Sequence, residues 1–139
     1  FINPVLGTQA VQIYRDNFSP SKYNVMPVVT AGVSALCAPS TDEALELSWS
    51  RYCMRFKKQG VPSVETALDF DYHPAELEYI SYSQKRAAIG DPKTVRNRLQ
   101  NIADELSIDE LLLLTITYDF KKRIQSYDLI SQQFNLDRF

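Results

Sequence analysis

Histidine, cysteine and glycine are scarce in this chain, and each scarcity closes off a chemistry. There is one histidine, His73, and there are two cysteines, Cys37 and Cys53. An imidazole-based metal site needs further ligands nearby, so none is expected, and His73-Pro74 reads as loop. The cysteines match neither a metal-binding nor a thioredoxin-type spacing. They read as reduced, small apolar side chains rather than a disulfide or redox pair. Four glycines, none of them clustered, leave no loop that could cradle a phosphate. An excess of charge is missing too. The formal net charge is −2 over 139 residues, whereas a nucleic-acid surface calls for a basic face. No apolar run approaches the roughly 20 residues that span a bilayer. No basic n-region leads into an apolar h-region. Neither nucleic acid nor membrane is expected as a partner, and a cytoplasmic location follows. The first residue is Phe1 rather than Met, which points to a chain processed, trimmed or cut from something longer.

What is present is the composition of one globular domain, 45% hydrophobic and 23% charged, with nothing in it that implies disorder. The stretch "IDELLLLTIT" (108–117) is a short continuous apolar run. It fits a strand covered on both faces, as in a parallel sheet flanked by helices. "MPVVTAGVSALCA" (26–38) is a second such strand, with Val28, Val29, Val33 and Leu36 among small residues. Gly32 marks a bend or a close backbone approach.

Helices are predicted around these strands. The first follows Asn3-Pro4, with Ala10, Ile13, Tyr14 and Phe18 as its apolar stripe, and Pro20 stops it. The second has Ser40 and Glu43 at capping-box spacing and an apolar face of Leu45, Trp49, Tyr52 and Phe56. Arg55, Lys57 and Lys58 near its end could hold a phosphate, but a solvated helix end that suits the dipole is the expectation. A third is capped by Asp91 with Pro92 in the first position, and carries Val95, Leu99, Ile102 and Leu106 on one face. A last helix turns Ile124, Tyr127, Ile130 and Phe134 inward. Residues 61–85 are the least regular part, and only "AELEYISYSQKR" within them has helical character. A stretch of this kind is either a mobile functional lid or a surface connection packed by its own aromatics.

The alternation is that of an α/β protein, but it holds only two strands, both of interior type. Two such strands do not make a stable sheet. Either the chain pairs with copies of itself, or it is part of a larger α/β fold.

Four stretches carry a family resemblance: "YRDNFSPS" (14–21), "CAPSTDEALELSWS" (37–50), "AAIGDPKTVRNRL" (87–99) and "IDELLLLTITYDFKKRIQSYDLI" (108–130). In this order they resemble bacterial luciferase-like, alkanal-monooxygenase-like flavin-dependent monooxygenases. That family folds as a (β/α)8 TIM barrel, which typically needs about 250 residues. The resemblance implies a partial barrel here, rich in helix, holding about the last two strands. Residues 1–25 would be the helix and turn after a missing sixth strand. Residues 26–60 would be the seventh strand and its helix, 61–90 an irregular stretch with the family's mobile loop, and 91–139 a helix, the eighth strand and the final helix.

In the family, reduced FMN at the C-terminal mouth of the barrel reacts with oxygen, and an aldehyde or similar substrate is oxidised. The resemblance therefore implies FMN as cofactor in the complete barrel only, with none expected for this chain alone, and no catalytic or metal-binding residue is assigned. Residues that follow barrel strands line the mouth. Those are 38–40 and 117–119, with Asn3 just after the lost sixth strand. Asn3, Ser40, Tyr118 and Asp119 are the candidates. Ser40 and Asp119 also read as helix caps, and Arg123 and Ser126, which match family positions, read as structural. The implied partner is the missing N-terminal barrel portion, or further copies of the chain in a homo-oligomer joined through bare strand edges. The alternative function is a non-catalytic, self-associating interaction module derived from the same fold.

Overall fold

Strand β1 (Thr30–Cys37) is the middle of a parallel sheet of three, in the order β2-β1-β3. The computed structural model describes residues 4–57, 60–108 and 110–136. Along the chain it contains α1 (Pro4–Asp16), β1, α2 (Thr41–Lys57), α3 (Val64–Leu68), α4 (Pro74–Arg86), β2 (Ala88–Gly90), α5 (Pro92–Leu106), β3 (Glu110–Leu114) and α6 (Phe120–Gln133). β1 pairs with β3 from Thr30 opposite Glu110 to Ser34 opposite Leu114. Its C-terminal third pairs on the other side with β2, from Ala35 opposite Ala88 to Cys37 opposite Gly90. The pairing expected between the two predicted strands is therefore present, and a third strand joins them.

Side chains of β1 alternate between two helical layers, because successive residues of a strand point to opposite faces. Val33, Ala35 and Cys37 face α5 and α6, packing with Ala88, Val95, Leu99 and Ile130. Leu36 faces the other way and packs with Ala38, Ala44, Leu47 and Ile89 under α2. Small residues in β1 let both layers come close. Three buried bonds pin the layers to the sheet. The Cys37 amide donates to Ser126 Oγ at 2.8 Å, the Thr115 hydroxyl to the Ala35 carbonyl at 2.8 Å, and the Thr117 hydroxyl to the Leu47 carbonyl at 3.3 Å. Ser126 is fully buried, so its role is to satisfy a backbone donor, as its structural reading requires.

Several sequence expectations need correction. Among the described residues there are three strands, not two. β2 is only three residues long, too short for a hydrophobic period to reveal, and all three residues are buried. Gly90 ends it at φ +154°, where a Cβ would lie 2.8 Å from Thr94 Cγ2. Residues 61–90, expected to be irregular apart from the helical stretch 75–86, carry α3, α4 and β2. Ser63 caps α3 by accepting from the Thr66 amide. His73, read as loop, forms a capping box for α4: its side chain accepts from Ala75 N, Glu76 accepts from His73 N, and Pro74 opens the helix. This segment is held by its own aromatics. Tyr72 sits 4.8 Å from Phe70, 5.5 Å from Trp49 and 6.3 Å from Phe56, ring centre to ring centre.

The inward stripe of α1 is also different. Val11 is buried, while Ala10, Ile13 and Tyr14 are exposed. On α6, Ile130 is buried and the Tyr127 hydroxyl accepts from the Thr115 amide at 3.2 Å, but Ile124 is 45% exposed. Most telling is β3, expected to be covered on both faces. Leu111 and Leu113 pack on the α5–α6 layer, whereas Leu112 is 69% exposed and Leu114 36%. The leucine run is apolar on a face that this chain leaves uncovered. Replacing Leu99, buried to 1% exposure, with Ala should therefore cost about 2–5 kcal/mol in urea unfolding. Leu112→Ala should stay within about 0.5 kcal/mol.

Candidate functional site

Because the three strands are parallel, their C-terminal ends lie together, and the first turns of α2, α5 and α6 start from that end. The predicted mouth residues fall there, Asn3 excepted, which lies outside the described residues. Ser40 Oγ accepts from the Glu43 amide at 3.2 Å, and the Ser40 carbonyl accepts from Ala44 N at 3.1 Å. Asp119 caps α6, accepting from the amides of Lys121 at 2.7 Å and Lys122 at 3.2 Å. Tyr118 is 59% exposed. A salt bridge of 2.6 Å between Lys122 Nζ and Glu43 Oε1 ties the two capped helices to each other. Ser40 and Asp119 are thus brought to one end of the sheet, but each is engaged as a cap.

Sequence reasoning read Asp91 only as a cap, and the structure gives it a wider role. Its Oδ1 accepts from Lys93 N and Thr94 N, both at 3.0 Å. Its Oδ2 accepts from the hydroxyls of Thr94 at 2.6 Å and Thr41 at 2.7 Å. Thr41 Oγ1 in turn accepts from Asp91 N at 3.2 Å, so β2–α5 is fastened to the start of α2. The hydrogen bonds from Thr94, then Thr41, hold the Asp91 carboxyl well below the usual carboxylate range. Nearby Cys37 is buried and free. Its burial first, and the Asp91 charge second, push the thiol up to about 11. It is therefore a packing residue at neutral pH rather than a nucleophile. Among the described residues no group of three His, Cys, Asp or Glu could hold a metal ion.

One concavity lies elsewhere. β2 pairs only with Ala35–Cys37, and a cavity of about 650 Å³ reaches the stretch Gly32–Ser34 of β1 beyond it. Arg51, Tyr52 and Arg55 of α2 and Tyr79, Tyr82 and Arg86 of α4 are in its lining. Arg51 donates to Ser34 Oγ. Arg55 lies 4.7 Å over the Tyr79 ring and Arg86 4.8 Å over the Tyr82 ring. Tyr52 is 3% exposed, and its hydroxyl, with the Arg51 guanidinium beside it, has no well-formed hydrogen bond among the described residues. Such an orphan typically costs about 1–3 kcal/mol. Burial raises the Tyr52 pKa, and the adjacent Arg51 charge pulls it partly back. Its hydroxyl is thus a proton donor at neutral pH. The sequence showed the basic residues of α2 but not α4 facing them, since that contact is tertiary.

No family model matches the chain. The uncharacterized protein YceB of Bacillus subtilis is 32% identical over 139 residues, which are 96% of this chain and 42% of YceB. A luciferase-like monooxygenase of Escherichia coli K12 is 26% identical over 132 residues, 91% of this chain and 39% of the enzyme. A crystal structure of apo-MsnO8 superposes with a TM-score of 0.81 at 22% identity, covering 96% of this chain and 43% of that one. The chain thus shares the fold of part of a larger protein, and it spans about two fifths of the length of the relatives it matches.

The Asp91 network makes a pH prediction. A carboxyl with a depressed folded-state pKa stabilises above its unfolded value of about 3.9 and loses that contribution as pH falls toward the folded one. The stability gap between the unaltered chain and Asp91→Ala, about 1 kcal/mol for a lost cap, should stay flat from neutral pH to about pH 5. It should shrink below about pH 4, as read by urea unfolding across that range.

Proposed function

We propose that this chain is the C-terminal portion of a luciferase-like, FMN-dependent monooxygenase, supplying the last strands of a (β/α)8 barrel. The observation that carries the reading is the match in extent. Nearly the whole chain aligns with the Escherichia coli luciferase-like monooxygenase, yet fills only 39% of it. The half-covered β3 supports it. Among the described residues β3 pairs with β1 on one edge only, and Leu112 and Leu114 present apolar side chains that a complete barrel would cover. In this reading β1 is the seventh strand, β3 the eighth, and the open edge of β3 receives the first.

The residues of this chain do not by themselves fit FMN at the strand ends. A phosphate is commonly held by free backbone amides at a helix N-terminus. Here Ser40 engages the Glu43 amide of α2, Asp91 the Lys93 and Thr94 amides of α5, and Asp119 the Lys121 and Lys122 amides of α6. Flavin and its reaction with oxygen would then depend on the rest of the barrel, and what this chain adds is closure of the wall, the capped rim and the α3–α4 segment beside it. No described helix is long and apolar enough to cross a membrane.

The isolated 139-residue chain should give no turnover with reduced FMN, oxygen and a long-chain aldehyde. Fused behind the part of Bacillus subtilis YceB that it does not match, it should yield a protein that retains FMN through gel filtration. Turnover by the chain alone would overturn the reading. The self-associating module is favoured by the same exposed apolar residues and is separated by sedimentation. A discrete dimer of the chain alone, abolished by Leu112→Lys, would support the module over the barrel portion.

A further inference from the structure

We propose that Tyr118 is the residue of this chain that carries the apolar body of the substrate, its ring forming part of the wall at the active-site mouth. The inference rests on the barrel reading and deepens it, since it names one contact at the mouth and the kind of group it takes. The first observation is an alternation. Along β3 and through the turn after it, Leu112 is 69% exposed, Leu114 36% and Tyr118 59%, whereas Thr115 and Thr117 are buried. Ile116 is half-buried. Successive residues of an extended chain point to opposite sides. Leu112, Leu114, Ile116 and Tyr118 therefore form one strip, turned away from the α5–α6 layer on which Leu111 and Leu113 pack. Helices form the outer ring of a closed barrel, so that side of β3 is its interior. Residues within the strands are covered there by layers of side chains from other strands, while a residue past the C-terminal end stands at the mouth. Tyr118 is that residue.

The second observation is how the neighbours of Tyr118 are engaged. Thr117 donates to the Leu47 carbonyl at 3.3 Å, and Asp119 accepts from the Lys121 and Lys122 amides. The backbone on either side of Tyr118 is thus fixed against α2 and α6. Its own side chain has no hydrogen bond and no ring contact among the described residues. A ring placed by a fixed backbone and left open at its face is a preorganised surface, which loses little freedom on binding. The third observation is elimination. Of the other mouth candidates, Ser40 and Asp119 are occupied in capping α2 and α6. What Tyr118 offers is an aromatic face above a strip of leucine and isoleucine, which suits a hydrocarbon chain rather than a charged group.

The test uses the fusion with the YceB portion, titrated by calorimetry with decanol, an unreactive stand-in for a long-chain aldehyde. The fusion should bind decanol, and Tyr118→Ala should lose about tenfold in affinity. Tyr118→Phe should stay within about twofold, because the ring and not the hydroxyl makes the contact. Tyr23→Ala, at a tyrosine 82% exposed elsewhere, should also stay within about twofold. In the isolated 139-residue chain, Tyr118→Ala should leave the urea midpoint unchanged, as for any exposed side chain without a packing role. A fusion that retains FMN yet binds no decanol, or binds it equally well with Tyr118→Ala, overturns the role of Tyr118 and leaves the barrel reading standing. An equal loss in Tyr23→Ala overturns it, and so does a lowered urea midpoint in Tyr118→Ala, since the ring would then be a packing residue. A fusion that retains no FMN overturns the barrel reading itself, and the role of Tyr118 with it.

Discussion

The parallel ladder between Thr30–Ser34 and Glu110–Leu114 is the constraint on which this structure depends. It joins segments 80 residues apart, with the Thr30 hydroxyl bonded to Glu110 across its first rung. Parallel strands need a crossover between them, and here everything from α2 to α5 serves as that crossover. Once the ladder is set, alternation along β1 fixes the rest. Val33, Ala35 and Cys37 organise the α5–α6 layer, and Leu36 organises the α2 layer. The hydroxyls of Thr115, Thr117 and Ser126 then satisfy backbone groups where the layers meet the sheet. A slip of one residue would exchange these faces and lose both layers together.

The same ladder explains what is left open. β1 is covered on both faces because it lies between two strands and two helical layers. β3 is the edge of the described sheet, and no layer of described residues covers Leu112 on one of its faces. Leu112 is exposed there, and Ile13, Phe120 and Ile124 on the helices add further exposed apolar surface. That surface is accounted for if the chain is one portion of a larger fold, and the length of its relatives points the same way.

Much of this was legible in the sequence, for physical reasons that can be named. The Asp91-Pro92 start and the Val95–Leu99–Ile102–Leu106 period located α5, because the cap and the helical period agree. "ELLLL" was readable as a strand, and its apolar character on both faces was correct as a statement about side chains. Its coverage was not, since coverage belongs to whatever lies over it. β2 escaped because three residues carry no period. The α4 start escaped because His73 is an uncommon cap and Pro74 reads as a breaker until it occupies the first helical position. At the candidate site, Ser40 and Asp119 were named because they follow the strands, and their alternative reading as helix caps is the one seen. The cavity was hidden because Arg51 and Arg55 meet Tyr79, Tyr82 and Arg86 only after α4 folds against α2.

The claim at the centre is that β3 is a paired strand on one edge and an unsatisfied one on the other. Amide hydrogen exchange of the dilute, monomeric chain reads this directly, residue by residue. Amides of β1 should be strongly protected along both ladders. Those of β3 should alternate, protected where they face β1 and fast where they face outward, and the fast set should become protected in the fusion with the YceB portion. Uniform protection of β3 in the isolated monomer would contradict the account, because it would mean that the edge is already closed.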